Sequence, residues 1–492
     1  MSIEAVPLGR GVAPTPRRGE LHGMRLFAPL RRGLLAALLL APALLSAQDR
    51  PLSLWERQAR DLLKELVEIN TTLTTGNSVT AAEAMAKHMR AAGFPSEDVV
   101  VVENAPRKGN LIVRFRGRNT ARKPILLLSH IDVVEANPAD WTLPPFQFIE
   151  KDGNFYGRGV ADDKDEGAIH LTILLRMKAE GIVPDRDLIV ALTADEEGGP
   201  ANGVDWILKN RPELLAAEYA LNEGGGGRVE NGRRIANEVQ ASEKKVANFI
   251  LETTNTGGHS SQPRPDNAIY QLAIALDRVG KYQFPVRLNA VTREYFRRQA
   301  TISGGEVGRA MTRIVANEKD ADAARLISRD PANNSRLRTS CVATMLEGGH
   351  AMNALPQRAR ATINCRILPD ETTEQVRAQL ARTIADTGVK ILIERAAEDS
   401  PPSPLTPELL RTIEEASTEL FPGIPVVPTM STGATDGRFL RVAGIPVYGV
   451  SGLFYDTPNA HGMNERAEAR AFYDGLEFMY RLVRKLSAGP GV

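Results

Sequence analysis

Apolar residues recur at helical spacing over Leu52 to Glu68 and again over Ala81 to Ala92, which predicts two helices ahead of the first strand. Asn110 to Phe115, Pro124 to Ser129 and Asp187 to Thr193 are short, continuous apolar runs that read as strands, and a helical stretch from Glu166 to Glu180 precedes the last of them. Strands alternating with helices predict an α/β layer structure with a mainly parallel sheet. Near residue 242 the texture changes. Val246 to Thr254 reads as a strand, Asn267 to Val279 as a helix, Cys341 to Glu347 and Ala359 to Leu368 as strands, Thr373 to Asp386 as a helix and Val389 to Arg395 as a strand. That βαββαβ order is the ferredoxin-like α+β sandwich. Lys281 to Thr339, inside it, is polar, Arg-rich and partly helical, an insertion or interface element. A Pro-rich stretch, Ser400 to Pro407, leads into a helix (Glu408 to Leu420), a strand (Gly444 to Val450) and a final helix (Glu465 to Leu486). The simplest organisation is one α/β domain (48–241 and 398–492) interrupted by a smaller one (242–397), with no internal repeat.

The first 47 residues follow another logic. A basic segment from Met24 is followed by an apolar stretch, Leu34 to Leu45, and then by Ser46 and Ala47, the pattern of a secretory signal peptide. The stretch is about 12 residues long where a spanning helix needs about 20, so a permanent membrane anchor is not expected. Arg31 and Arg32 also suit twin-arginine export, which leaves the route open. Residues before Met24 have no evident role, and Met24 is an alternative start. Gln48 stands where a lipoprotein would carry its acylated Cys. The expected location is outside the cytoplasm, periplasmic or secreted.

At 492 residues, with 42% hydrophobic and 25% charged positions, the chain folds, and a domain size of about 150 residues allows two or three domains. Lys plus Arg number 61 against 60 Asp plus Glu, a balance that lacks the positive field nucleic-acid binding needs. Only Cys341 and Cys365 are present, so any metal rests on His and carboxylates. The two cysteines fall on strands expected to form a hairpin, where a disulfide and two free thiols are both open.

Candidate chemistry gathers at strand ends. The strand ending at Ser129 delivers His130-Ile-Asp132, in which His130 can bind a metal and Asp132 can orient its ring. A Gly-rich turn leads to Asp162 and Asp163. The strand ending at Thr193 runs into Asp195-Glu196-Glu197, where one glutamate can bind metal and its neighbour can take a proton from water. Asn222-Glu223 precedes four glycines, and His461-Gly-Met-Asn-Glu465 precedes the last helix. Each signal alone is matched by a bland reading, a solvated acid or a polar loop histidine. Together they suit zinc, cobalt or manganese, and paired carboxylates suit two ions.

These motifs resemble the M20 family of metallopeptidases over roughly residues 55 to 485. The resemblance extends to Trp141 to Phe146, Asp152-Gly153, Gly257-Gly-His259-Ser-Ser, Asn353-Ala-Leu-Pro356, Asn364-Cys-Arg366 and Thr432 to Arg438. It implies a metal-dependent exopeptidase domain interrupted by a ferredoxin-like lid or dimerisation domain. It makes His130, Asp162, Glu197, Glu223 and His461 the ligands of two divalent ions, zinc first, with Asp162 bridging. It makes Glu196 the general base and Asp132 its catalytic companion, and gives His259 to the oxyanion, often across a dimer. Arg366 and Asn353 resemble residues that grip a substrate carboxylate, and Gly433 and Thr435 a loop lining the same pocket. His88, His170 and His350 match no ligand position.

The implied activity is that of a zinc-dependent carboxypeptidase or dipeptidase that cleaves the amide before a C-terminal amino acid. An aminoacylase-like N-acyl amino acid hydrolase is the alternative, because both substrates place an amide beside a free carboxylate. A metal-free scaffold on the same fold should have lost ligands, and here all are present. Lys281 to Thr339 is expected either to cap the site or to extend a dimer interface.

Overall fold

The computed structural model describes residues 50–489, so the expected signal peptide and the Met24 start lie outside the described residues. The chain divides at Arg50, and everything below concerns the unit that starts at Pro51. Two helices open it, α1 (Leu54–Glu68) and α2 (Ser78–Ala91). Ser53 starts the first through a capping box with Glu56, which is why it begins two residues after the apolar pattern does. Asn77 caps the second.

Then follow β1 (Val99–Ala105), β2 (Lys108–Phe115), β3 (Ile125–His130), α3 (Lys164–Ala179), β4 (Leu188–Thr193), α4 (Gly203–Asn210), β5 (Tyr219–Asn222), β6 (Gly226–Glu230) and β7 (Arg233–Glu243). The smaller sheet comes next: β8 (Lys245–Thr254), α5 (Ala268–Lys281), four helices α6 (Ala290–Ser303), α7 (Gly305–Ala316), α8 (Ala321–Ile327) and α9 (Pro331–Leu337), β9 (Ser340–Gly348), β10 (Arg358–Ile367), α10 (Thr373–Ile384) and β11 (Lys390–Arg395). The chain returns through α11 (Pro407–Leu420), β12 (Val426–Ser431), α12 (Gly437–Val442), β13 (Val447–Gly449) and α13 (Ala469–Ser487).

The large sheet has the order β1-β2-β4-β3-β5-β13-β7-β12, with β6 paired to β7. Its centre, β4-β3-β5-β13, is parallel. Every residue of β3 and β4 is buried, as strands covered on both faces must be, and this explains their unbroken apolar runs. One core lies under α1, α2, α3, α11 and α13, and a second under α4 and α12.

The smaller sheet is antiparallel, in the order β9-β10-β8-β11. α5 and α10 cover one face with Leu272, Val279, Val376 and Leu380 over Phe249, Leu251 and Ile363. The helices α6 to α9 share a core with Ala236 of β7 and Val427 of β12, so the insertion packs on the edge of the large sheet. Cys341 and Cys365 sit in register on β9 and β10 and are joined by a disulfide.

Two strands escape the apolar pattern. β7 buries Asn237, Gln240, Ser242 and Glu243 completely, and a hydropathy reading sees these as surface. Partners across the fold meet most of this polarity: Asn237 Nδ2 donates to Ser417 Oγ (3.4 Å) and Arg441 donates to Gln240 Oε1 (3.1 Å), whereas Asn237 Oδ1 and Ser242 Oγ have no hydrogen-bond partner. The last helix begins at Ala469, because Arg466–Glu468 pair as a strand with Asn154–Tyr156.

Candidate metal centre

The parallel strands end together, and their carboxyl ends carry the chemistry, as open α/β sheets require. β3 delivers His130, 3% exposed, and β4 runs through Thr193 into the turn holding Glu196 and Glu197. β5 delivers Glu223. The backbones of Glu223 and Gly449 on β13 pass so closely that a Cβ at 449 would lie 2.3 Å from Glu223 O, which accounts for glycine there.

Asp162 stands at the middle. Its Oδ1 is 3.1 Å from His130 Nε2 and its Oδ2 is 3.1 Å from His461 Nε2, which is also 2.7 Å from Glu197 Oε1. Two sets of ligand atoms arise, His130/Asp162/Glu223 and Asp162/Glu197/His461, each set lying within 4.8 Å and sharing Asp162. All five expected ligands are thus brought together from loops up to 331 positions apart in sequence, reckoned from residue 130 to 461.

Asp132 sits beneath them, almost wholly buried. His130 Nδ1 meets the Asp132 main-chain oxygen at 3.1 Å and its carboxylate only at 3.8 Å. The carboxylate instead accepts the backbone N–H groups of Glu196 and Glu197, one on each oxygen, both at 3.1 Å. Asp132 therefore orients the histidine through its backbone and the glutamate turn through its side chain. Asp163 supports from the other side, accepting His130 N–H at 3.2 Å. Glu465 accepts the N–H groups of Gly159 (3.1 Å) and Ala161 (3.0 Å) and pairs with Arg158 (2.7 Å), which ties the His461 loop to the Asp162 turn.

The electrostatics describe a crowded acid cluster. Burial, together with Asp436 and Asp132, pushes Glu196 up to about 8, and burial raises Asp132 to about 6. Burial and then Glu196 push Glu223 well above the carboxylate range. Burial also penalises the Asp162 anion, but hydrogen bonds from His130 and His461 outweigh it and hold that carboxyl low. Hydrogen bonds to Asp162 and Glu197 raise His461 to about 10. Imidazole and carboxylate donors without thiolate, massed so that like charges raise one another, are a donor set that fits divalent cations of the zinc, cobalt or manganese type.

The remaining expected residues fall elsewhere. His259 lies exposed on a two-stranded ribbon where it pairs with Ala354, formed by the chain after β8 and after β9, and the exposed Asn353 adjoins it, its main-chain oxygen accepting Ser260 N–H at 3.0 Å. The His259 Nδ1 is 2.7 Å from Ser261 Oγ, and no contact among the described residues joins its ring to the acid cluster. Arg366 is half-buried on the open face of the smaller sheet, its Nη1 donating to Thr432 O (3.4 Å). Gly433 is exposed on that loop. The Thr435 hydroxyl is buried and donates to Glu243 Oε2 (3.0 Å), so Thr435 anchors the loop.

Sequence reading overlooked this supporting layer. Glu243 also pairs with Arg441 (2.9 Å) and accepts from Ser400 (2.8 Å), binding the loop to both chain crossings between the sheets. Lys108 pairs with Asp195, and Asn202 Nδ2 donates to Asp436 Oδ1 (2.5 Å). Glu243 stands between Ser242 and two lysines and Lys108 between Arg107 and Gly109, so no local apolar pattern marks them as buried.

Residues 126–485 match the Peptidase family M20/M25/M40, and the chain belongs to that family. The human N-fatty-acyl-amino acid synthase/hydrolase PM20D1 is 28% identical over 383 residues, 75% of either chain. A probable carboxypeptidase S-like protein of Dictyostelium discoideum is 29% identical over 405 residues, 80% of this chain and 77% of its own. An M20 family metallo-carboxypeptidase from Sulfolobus solfataricus shares the fold at a TM-score of 0.65 and 17% identity, covering 87% of this chain and 98% of its own. The protein is an M20-type metal-dependent hydrolase.

Proposed function

We propose that this protein hydrolyses the amide bond before a C-terminal amino acid, as an exported zinc-dependent dipeptidase or carboxypeptidase. The observation that carries the reading is the pair of ligand sets sharing Asp162 beside the Glu196 carboxylate. His130, Asp162 and Glu223 would hold one ion and Asp162, Glu197 and His461 the other. When bound, such ions polarise an amide carbonyl and acidify water. Glu196, held by its N–H on Asp132, takes the proton of the attacking water and passes it to the departing nitrogen. Arg366, Asn353 and Gly433 receive the substrate's carboxylate, with Thr435 fixing the loop.

Residues 242–397 act as lid and dimerisation domain in this reading. Val342, Met345 and Leu346 on β9 and Ile269, Tyr270 and Ile274 on α5 are exposed apolar side chains suited to a second copy, whose His259 would complete the oxyanion site. The Cys341–Cys365 disulfide suits an oxidising compartment, and among the described residues no helix is long and apolar enough to cross a membrane.

The second reading, an N-acyl amino acid hydrolase, is favoured by the likeness to PM20D1. Free amino acid release by the zinc-loaded mature protein from dipeptides, longer peptides and N-acyl amino acids separates the two. Preferential release from peptides is expected; release from acylated amino acids alone establishes the second reading, and release from none refutes both.

A further inference from the structure

A cavity of about 440 Å³ adjoins the metal centre, and Asp162 and Glu223 form part of its wall. Whatever fills it lies against the reacting amide. The rest of the wall includes Glu166, Arg228, Glu238 and Tyr455. Arg228 is already neutralised there, by Glu238 at 3.1 Å. The Tyr455 hydroxyl is committed to Asp165 Oδ2 at 2.9 Å. Glu166 differs from both. It is 6% exposed, its carboxyl accepts from the Ser451 hydroxyl, its Oε2 has no hydrogen-bond partner, and among the described residues no Lys, Arg or His pairs with it. It sits in the first turn of α3, where the helix dipole offsets only part of the burial that, with Asp165, pushes its pKa well above the carboxylate range.

A buried carboxylate oxygen facing a cavity without a donor asks for one. The two ends of an Xaa–Yaa dipeptide are a carboxylate and an ammonium. The carboxylate is repelled here and finds Arg366, which has no acidic partner among the described residues, on the smaller sheet. The ammonium brings the donor that Glu166 Oε2 lacks, together with a positive charge. An alkyl chain in the same place would seal the carboxylate against hydrocarbon, which is unfavourable.

We propose that this cavity is the subsite for the acyl part of the substrate and that Glu166 there receives its free α-amine, making dipeptides the preferred substrates over N-acylated amino acids. This rests on the reading of the neighbouring centre as an amide hydrolase. Alanyl-phenylalanine and propionyl-phenylalanine differ only in that amine. The zinc-loaded mature protein is expected to cleave the dipeptide with a kcat/KM at least tenfold higher, and Glu166→Gln to reduce that ratio at least fivefold. A wild-type ratio near or below one, or a ratio that Glu166→Gln does not move, overturns the proposal.

Calorimetric titration of both compounds into zinc-loaded Glu196→Gln reads the same subsite without turnover. At least tenfold tighter binding of the dipeptide supports it even if neither compound is hydrolysed, in which case the hydrolase reading alone fails. Equal affinities overturn it. The wild-type comparison decides the matter should Glu166→Gln not fold.

Discussion

Lys108 Nζ lies 2.5 Å from Asp195 Oδ1, and both side chains are buried behind the turn that carries Glu196 and Glu197. Asp195 adopts a positive φ of 62°, held there by Ala201 N–H on its Oδ2 (3.3 Å) and by Asn202 Nδ2 on its main-chain oxygen (3.1 Å). Lys108→Met strands the carboxylate and is expected to cost about 3–5 kcal/mol in urea unfolding. Adding Asp195→Asn should recover part of that loss, whereas additive costs would show that the pair does not interact.

Glu196 is held on Asp132 by its backbone N–H, next in sequence to the ligand-set residue Glu197, but belongs to neither ligand set. Glu196→Gln should therefore lower kcat by roughly 10²–10⁴ while leaving two zinc ions per chain by mass spectrometry. Asp162→Asn, in contrast, should lose both ions, because both sets use it, and His461→Ala should lose one. Full occupancy in Asp162→Asn would remove the bridging assignment.

Among the described residues no contact joins His259 to the cluster within its own chain, its Nδ1 lying 2.7 Å from Ser261 Oγ. If a second copy supplies it, inactive Glu196→Gln and inactive His259→Ala proteins, mixed and exchanged, should regain measurable turnover, since one hybrid site then holds both groups. Continued inactivity after proven subunit exchange argues for a role within one chain.

The disulfide between Cys341 and Cys365 closes a segment of 24 positions. Cys341→Ser with Cys365→Ser should cost about 3–4 kcal/mol by loop-closure entropy, read from chemical denaturation. A thiol assay of the unreduced, unfolded protein should find none free.

Lys244, between β7 and β8, donates its Nζ to Arg338 O at 2.6 Å and has its pKa lowered by burial to about 7. Its folded value lies below the unfolded one of 10.5, so between these values the unfolded chain binds more protons and stability rises with pH. The burden is full below about pH 7 and gone above 10.5. Lys244→Met should show a shallower rise across that window, and an unchanged slope would assign the dependence to other groups.

Local pattern exposed much of this. The buried strand ending at His130 and the βαββαβ order are legible from local pattern, because a run covered on both faces must be apolar, and the five residues of the two ligand sets are legible through the motifs that carry the family resemblance. β7 was hidden, since it buries amides and an acid whose partners, Ser417 and Arg441, lie far along the chain.

What the sequence by itself determined is therefore which residues can bind, abstract a proton or end a strand, for these depend on side-chain chemistry and local periodicity. What only the tertiary structure decided is which of them meet. Register set Cys341 against Cys365, and Asp132 became a cradle for Glu196 and Glu197. The Oε2 of Glu166 was left without a hydrogen-bond partner beside the centre. Such contacts depend on how separate strands close on one another, and no stretch of neighbouring residues encodes that geometry.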